Sequence, residues 1–239
     1  MRAFILAGGL GTRLRPVVSG VPKPLAPLDG KAFLEYQLQW LKKNGLREVV
    51  FCTGYLGEMI KNFFGNGTAR GLRLYYSQED CPLGTGGALK NAAAYIDGAF
   101  LAINGDTLIN FELSSLISFH RQKGGLAALV LAPAIYPGGY GLIGTDGEAR
   151  VVAWRGRTAD GEGVRTPVNA GVYILEPEVL DYIPAARKVS LEEEVFPRLA
   201  KKRALFALTV DSGFLDIGTP QTYRLAQQLT KNFAQEGHI

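Results

Sequence analysis

The chain has 239 residues, 47% of them hydrophobic and 20% charged, an ordinary globular balance that supplies a sizeable core for one α/β domain, or one domain with a small appendage. The net charge of +4 and pI near 9.0 favour acidic ligands, but the basic residues are scattered, and no basic stripe interleaved with aromatics points to nucleic acid. Two cysteines (Cys52, Cys81) and two histidines (His120, His238) without ligand spacing argue against a disulfide framework or a zinc site; with no apolar run approaching ~18 residues and a strand where a signal peptide would lie, a cytoplasmic protein that does not enter a membrane is expected.

An apolar strand, Ala3–Ala7, opens the chain and runs into Gly8-Gly9-Leu10-Gly11-Thr12-Arg13-Leu14-Arg15-Pro16, followed by Pro22-Lys23-Pro24. Glycines let backbone N–H groups approach an anion closely, and Arg13, Arg15 and Lys23 lie within reach, so the segment reads as a polyphosphate cradle. It is not a P-loop, which needs Gly-x-x-x-x-Gly-Lys-Ser/Thr. Nor is it a dinucleotide fingerprint, because Leu14 stands where the third glycine belongs. A helix is expected over Phe33–Asn44 with Leu34, Leu38 and Leu41 on one face, then a strand at Val49–Thr53, in which Cys52 is a small buried hydrophobe. Helix Glu58–Phe64 and strand Arg73–Ser77 lead to a second glycine-rich segment, Gln78-Glu79-Asp80-Cys81-Pro82-Leu83-Gly84-Thr85-Gly86-Gly87-Ala88, which opens helix Thr85–Ala94. A strand end, glycines and a helix N-terminus suit a planar base and its phosphate, although Thr85 could also serve as a helix cap.

Strand Phe100–Asn104 ends in Gly105-Asp106. Since open α/β sheets bind ligands at the carboxyl ends of their strands, Asp106 is expected at the same edge as the Gly8–Arg13 loop, where a hard cation could use its carboxylate with phosphate oxygens. Helix Leu113–Gln122, carrying His120 on one face, and strand Ala127–Ala132 complete an alternation that predicts a mostly parallel, doubly wound sheet. Strands follow at Gly141–Thr145, Val151–Trp154, Gly171–Leu175 and Leu205–Val210, with glycine-rich connections at Pro137–Gly141 and Gly156–Thr166 forming an insertion over the substrate. Helix Leu191–Lys201 opens on Ser190-Leu191-Glu192 in capping fashion, though Glu192 could instead reach a sugar hydroxyl. The final helix, Pro220–Phe233, has Thr219 as N-cap and Pro220 at its first position, just after Asp216.

Gly8 to Pro16 together with Pro22-Lys23-Pro24 fill every position of Gly-Gly-x-Gly-Thr-Arg-Leu-x-Pro and Pro-Lys-Pro, so the chain resembles the sugar-1-phosphate nucleotidyltransferase family over Met1 to about Gln228. The segment Val17–Pro27 is most similar to the D-glycero-D-manno-heptose 1-phosphate guanylyltransferases of that family. The resemblance implies a Rossmann-like three-layer α/β sandwich, with a nucleotide-binding lobe over residues 1–135 and a sugar-binding, metal-completing lobe over 136–239. It also implies a nucleoside triphosphate (GTP favoured), a sugar 1-phosphate and Mg²⁺ as ligands, with Arg13, Lys23 and Asp106 catalytic. Leu6, Ala7, Gly8, Gly9, Gly11, Thr12, Gln78, Gly84 and Thr85 would hold the nucleotide. Asn104, Tyr140, Gly141, Asn169 and Glu192 would face the sugar, and Asp106 and Asp216 the metal. Many relatives carry Glu-Lys after the lid strand; here the stretch is Val152-Ala153-Trp154-Arg155-Gly156-Arg157, so Arg157, or Arg155 if the alignment slips, would supply the phosphate charge. The runner-up activity is uridylyl, cytidylyl or thymidylyl transfer to a hexose or N-acetylmuramic acid 1-phosphate. From another class comes a catalytically silent nucleotide-sugar sensor on the same fold.

Overall fold

The computed structural model describes residues 1–134, 141–157 and 167–235. In chain order the elements are β1 (Ala3–Ala7), β2 (Pro27–Leu28), β3 (Lys31–Ala32), α1 (Phe33–Lys43), β4 (Glu48–Thr53), α2 (Gly57–Phe64), β5 (Arg73–Gln78) and α3 (Gly84–Asn91). Then come β6 (Phe100–Asn104), β7 (Thr107–Ile109), α4 (Leu113–Lys123), β8 (Ala127–Ala132), β9 (Gly141–Thr145), β10 (Val151–Arg157) and β11 (Val168–Leu175). A π-helical turn, Leu191–Val195, leads into α5 (Phe196–Lys201), β12 (Leu205–Thr209), β13 (Phe214–Asp216) and α6 (Pro220–Gln235).

Helix α1 shows how the pattern becomes structure. Its buried face carries the expected Leu34, Leu38 and Leu41, Glu35 accepts a hydrogen bond from the Ala32 N–H at 2.9 Å, and Lys42 and Lys43 sit at the negative end of the helix dipole. Strand β1 alternates likewise. Ala3, Ile5 and Ala7 point into one core with α1, α2 and α4, whereas Phe4 points into a second core with α3 and α5. Each fully buried Phe or Leu contributes roughly 1.5–3 kcal/mol.

The central sheet runs β10-β9-β11-β6-β1-β4-β5, with β8 paired to β11 and β12. Strands β10 and β11 run against the others, so the sheet is mixed but mostly parallel. Register then positions the site. Ala7 lies beside Thr53 and Thr53 beside Gln78, while Leu6 lies beside Asn104. The residues that follow, Gly8, Gly54, Glu79 and Gly105, therefore share one edge of the sheet.

Several elements differ from the periodicity. The pairs β2–β3 and β7–β13 are only two and three residues long, too short to carry a repeat. Strand β11 starts at Val168 rather than Gly171: Gly171 has φ +71° and the register with β8 shifts between Asn169 and Tyr173, so the break in the pattern is a bulge within the strand. The expected insertion over the substrate falls largely on residues 135–140 and 158–166, outside the described set.

Candidate active site

The carboxyl ends of β1, β5 and β6 open into a cleft of about 440 Å³. Of the residues expected to bind or react, Leu6, Ala7, Gly8, Gly9, Gly11, Thr12, Arg13, Lys23, Gly84, Thr85, Asn104 and Asp106 line it. Gly11 holds φ +60°, and a Cβ there would lie 3.2 Å from the Lys23 Cβ, so the glycine loop rests directly on the Pro-Lys-Pro segment. That segment forms a 3₁₀ turn over Lys23–Leu25, with the Ala26 N–H donating to the Lys23 carbonyl at 2.9 Å; the flanking prolines fix the backbone that aims Lys23. Arg15 turns away and stacks over Tyr55, with its guanidinium carbon 4.9 Å from the ring centroid.

Lys23 Nζ meets Asp106 Oδ2 at 2.5 Å. Burial pushes the Asp106 carboxyl up, but the Lys23 ammonium and, further off, the Arg13 guanidinium hold it below the usual aspartate value. The turn that bears Asp106 is braced from behind. Gln37 on α1 donates from Nε2 to the Asn104 carbonyl at 2.8 Å and to the Thr107 carbonyl at 2.7 Å, and the Gly105 N–H donates to Leu6 O at 3.0 Å. Across the β7–β13 pair Thr107 lies opposite Asp216, and the Ile217 N–H donates to the Asp106 carbonyl at 3.0 Å. Two carboxylates 110 positions apart in sequence are thus held on adjacent backbone. Asp216 Oδ1 accepts from the Gly218 N–H at 2.6 Å. A Cβ at Gly218 would lie 2.8 Å from that oxygen and 3.3 Å from Arg13 Nη2, so Arg13 passes over a position kept bare. Thr219 caps α6 as expected, its Oγ1 accepting from the Thr222 N–H at 3.2 Å.

Other expected residues lie further from the cleft. The Gln78 side chain is exposed and braces the turn after β4, accepting from the Thr53 hydroxyl at 2.7 Å and donating to the Gly54 carbonyl at 3.0 Å. Asn169 bends back on its own strand, accepting from the Gly171 N–H at 3.1 Å and donating to the Tyr173 hydroxyl at 2.9 Å. Glu192 accepts from Tyr173 at 3.1 Å, Thr85 at 2.7 Å and Ser190 at 2.9 Å. A polar chain Asn169–Tyr173–Glu192–Thr85 therefore ties β11 to the head of α3. Burial first, and the Glu192 carboxylate second, hold the Tyr173 hydroxyl well above the ordinary tyrosine value. Among the described residues no protein group pairs with Asn104 Oδ1, which is buried in a residue that lines the cleft. Gly141 opens β9 and Arg157 ends β10; the side chains at 141 and at 155–157 lie outside the described set, as does Tyr140 altogether.

The cleft also takes in residues not nominated one by one, among them Glu79 and Gly218, which lay inside quoted motifs, and Lys188, which did not. The strand expected over Arg73–Ser77 runs one residue further, to Gln78, and that makes Glu79 the first residue past its end. Lys188 carried no signal, because the loop at Arg187–Val189 reaches the cleft only by packing on α3, where Val189 O accepts from the Gly86 N–H at 2.9 Å.

Residues 2–232 match the model of the family described as Nucleotidyl transferase. Among curated relatives, the D-glycero-alpha-D-manno-heptose 1-phosphate guanylyltransferase of Aneurinibacillus thermoaerophilus is 37% identical over 98% of this chain and 100% of its own length. The mannose-1-phosphate guanylyltransferase of Mycobacterium tuberculosis is also 37% identical, over 92% of this chain, which spans only 62% of that relative. Among solved structures, HddC from Yersinia pseudotuberculosis complexed with GMP-PN superposes with a TM-score of 0.81 at 27% identity, covering 96% of this chain and 99% of that one.

Proposed function

The chain belongs to the nucleotidyl transferase family, and from that premise we propose that it joins a sugar 1-phosphate to a nucleoside triphosphate with release of pyrophosphate, the pair being GTP and D-glycero-α-D-manno-heptose 1-phosphate. The observation that carries this reading is the convergence of Arg13, Lys23 and Asp106 on one cleft between two glycine-rich loops. The guanylyl and heptose assignments rest on the full-length likeness to a heptose 1-phosphate guanylyltransferase. Residues 1–135 would then serve the nucleotide and 136–239 the sugar. The free thiols of Cys52 and Cys81 and the need for a nucleoside triphosphate support a cytoplasmic location.

A sugar phosphate oxygen attacks the α-phosphorus in line, and pyrophosphate leaves from the opposite side. The nucleophile is already ionised at neutral pH, so the site needs no general base; positioning and charge neutralisation suffice. Glycine-loop N–H groups hold the triphosphate, Arg13 neutralises charge gathering on the departing β- and γ-phosphates, and Lys23 leaves Asp106 to bridge the α-phosphate and the incoming sugar phosphate. The donor set fits Mg²⁺, which takes one or two carboxylates along with phosphate oxygens; Asp106, the residue before Thr107, and Asp216, opposite Thr107 across β7–β13, would hold it. Bound there, the ion supplies Lewis-acid polarisation of the α-phosphate.

The test is pyrophosphate release with Mg²⁺, crossing four nucleoside triphosphates with a panel of sugar 1-phosphates. Turnover with GTP and heptose 1-phosphate supports the reading, and Arg13→Ala should then lower kcat by roughly 100-fold or more without loss of fold. A preference for mannose 1-phosphate, which the equal identity to the mycobacterial enzyme favours as second reading, would keep the chemistry and replace the sugar. Ligand binding without any turnover would overturn the enzyme reading in favour of a sensor.

A further inference from the structure

One side-chain amide on α1 joins the two sheets between which the acids of the cleft stand. Asp106 lies on the short link Gly105-Asp106, where the chain leaves β6 of the central sheet and enters β7 of the small β7–β13 pair. Gln37 spans that link from behind. Its Nε2 donates to the last carbonyl of β6, Asn104 O, at 2.8 Å, and to the first carbonyl of β7, Thr107 O, at 2.7 Å. Only the NH₂ end of the amide can meet two carbonyls, so the side chain has one workable orientation. It is 3% exposed, and among the described residues no group pairs with its Oε1. A buried oxygen left unpaired lowers stability; what the amide supplies instead is the geometry of the link.

Other contacts hold the link to different neighbours. The Gly105 N–H donates to Leu6 O at 3.0 Å, and a Cβ at Gly105 would lie 2.7 Å from that oxygen, so the link is pressed onto β1. The Ile217 N–H donates to the Asp106 carbonyl at 3.0 Å and ties the link to the segment after β13. Gln37 ties the end of β6 to the start of β7 and thereby fixes the angle at which the small sheet leaves the central one. Two carboxylates depend on that angle. Asp106 sits on the link itself, with Oδ2 at 2.5 Å from Lys23 Nζ, and Asp216 stands opposite Thr107 in the β7–β13 register.

We propose that Gln37 is a positioning residue for the transfer reaction: by bridging β6 and β7 it holds Asp106 and Asp216 in place against Lys23 and the phosphate-binding loop. The inference rests on the nucleotidyl-transfer reading above and requires no particular base or sugar. Gln37 lies behind the link, and the glycine loop that holds the triphosphate follows β1. Loosening the link should therefore slow the chemical step more than it weakens substrate binding.

The test uses Q37M, which keeps the length of the side chain without its donors, and Q37N, which keeps both N–H groups but falls one methylene short. Leu41→Ala, buried on the same helix, is the control for stability lost without touching the link. Kinetics at saturating Mg²⁺ use the nucleoside triphosphate and sugar 1-phosphate that the wild type turns over, with a melting temperature for each variant. Q37M and Q37N should lower kcat roughly 10- to 100-fold while each KM changes less than ~3-fold. In the ligand-free protein, hydrogen exchange followed by NMR should quicken at the Gly105 and Ile217 amides ~10-fold more than at the amides of β4. Leu41→Ala should hold kcat within ~2-fold and quicken exchange at both places alike.

A folded Q37M with kcat within ~2-fold of wild type overturns the role of Gln37 and leaves nucleotidyl transfer standing. So does an equal loss of kcat in Leu41→Ala, or exchange in Q37M that quickens no more at Gly105 and Ile217 than in β4. Should Q37M fail to fold, Q37N decides by the same criteria. Wild-type silence with every pairing of nucleoside triphosphate and sugar 1-phosphate removes the transfer reading itself, and this proposal with it.

Discussion

Two acids on the same edge of the sheet titrate in opposite senses because their neighbours differ. Asp106 has Lys23 at 2.5 Å, so its native pKa is depressed; the stability it lends is present above the usual aspartate value and is lost as pH falls through the depressed one. Among the described residues Glu79 has no such cation, and burial lifts it from 4.5 to about 7, so the native state holds its proton more tightly than the unfolded chain. Its contribution is most favourable below pH 4.5 and declines as pH rises toward 7, a change of about 3 kcal/mol at 1.36 kcal/mol per unit. Glu79→Gln should therefore raise the melting temperature of the ligand-free protein at pH 8 by several degrees and leave it unchanged near pH 4.5. Scanning calorimetry at the two pH values checks this, and an equal shift at both would mean that the acid is not buried as described.

Among the elements, α3 shows why glycine is needed at particular places. Gly84 holds φ +72°, and a Cβ there would lie 2.5 Å from Val189 O; at Gly87 it would lie 2.9 Å from Arg187 O. These glycines let the 187–189 loop press on the helix and deliver Lys188 to the cleft. Gly84→Ala should cost roughly 1–3 kcal/mol from backbone strain, with the clash in addition, and should raise KM for the nucleotide before it alters KM for the sugar 1-phosphate. Urea unfolding and steady-state kinetics test the two halves separately. Gln37 plays a comparable part in α1, where its amide bridges two carbonyls of the Asp106 turn instead of facing solvent.

Across the whole molecule, segments far apart in sequence lock the site. Strand β13 brings Asp216 beside Thr107, and α6 packs Tyr223 and Ala226 on Leu14, Val18 and Phe33, the Tyr223 hydroxyl donating to the Pro27 carbonyl. The chain Asn169–Tyr173–Glu192–Thr85 does the same between β11 and the head of α3. Tyr173→Phe removes the central hydroxyl from a fully buried position and should cost about 1–3 kcal/mol. Combined with Thr85→Val the loss should fall short of the sum by ~0.5 kcal/mol or more, since both groups serve one carboxylate. Strict additivity in denaturant titrations would show that the chain transmits nothing between β11 and α3.

Local chemistry was legible in the sequence. Gly8 to Arg13, Pro22-Lys23-Pro24 and Gly105-Asp106, singled out by their glycines, prolines and charges, do line one cleft, and the apolar alternation that orders a doubly wound sheet is likewise local. The sequence also nominated Asp106 and Asp216 as partners, through its likeness to a family. Tertiary structure alone decided the rest: that Gln78 braces a turn while its neighbour Glu79 lines the cleft, that Gln37 supports Asp106 from behind, and that Lys188 enters from a loop with no motif. Those outcomes depend on strand register and on which glycines leave room for which side chains. Such quantities arise only when distant segments pack, so no window along the chain contains them.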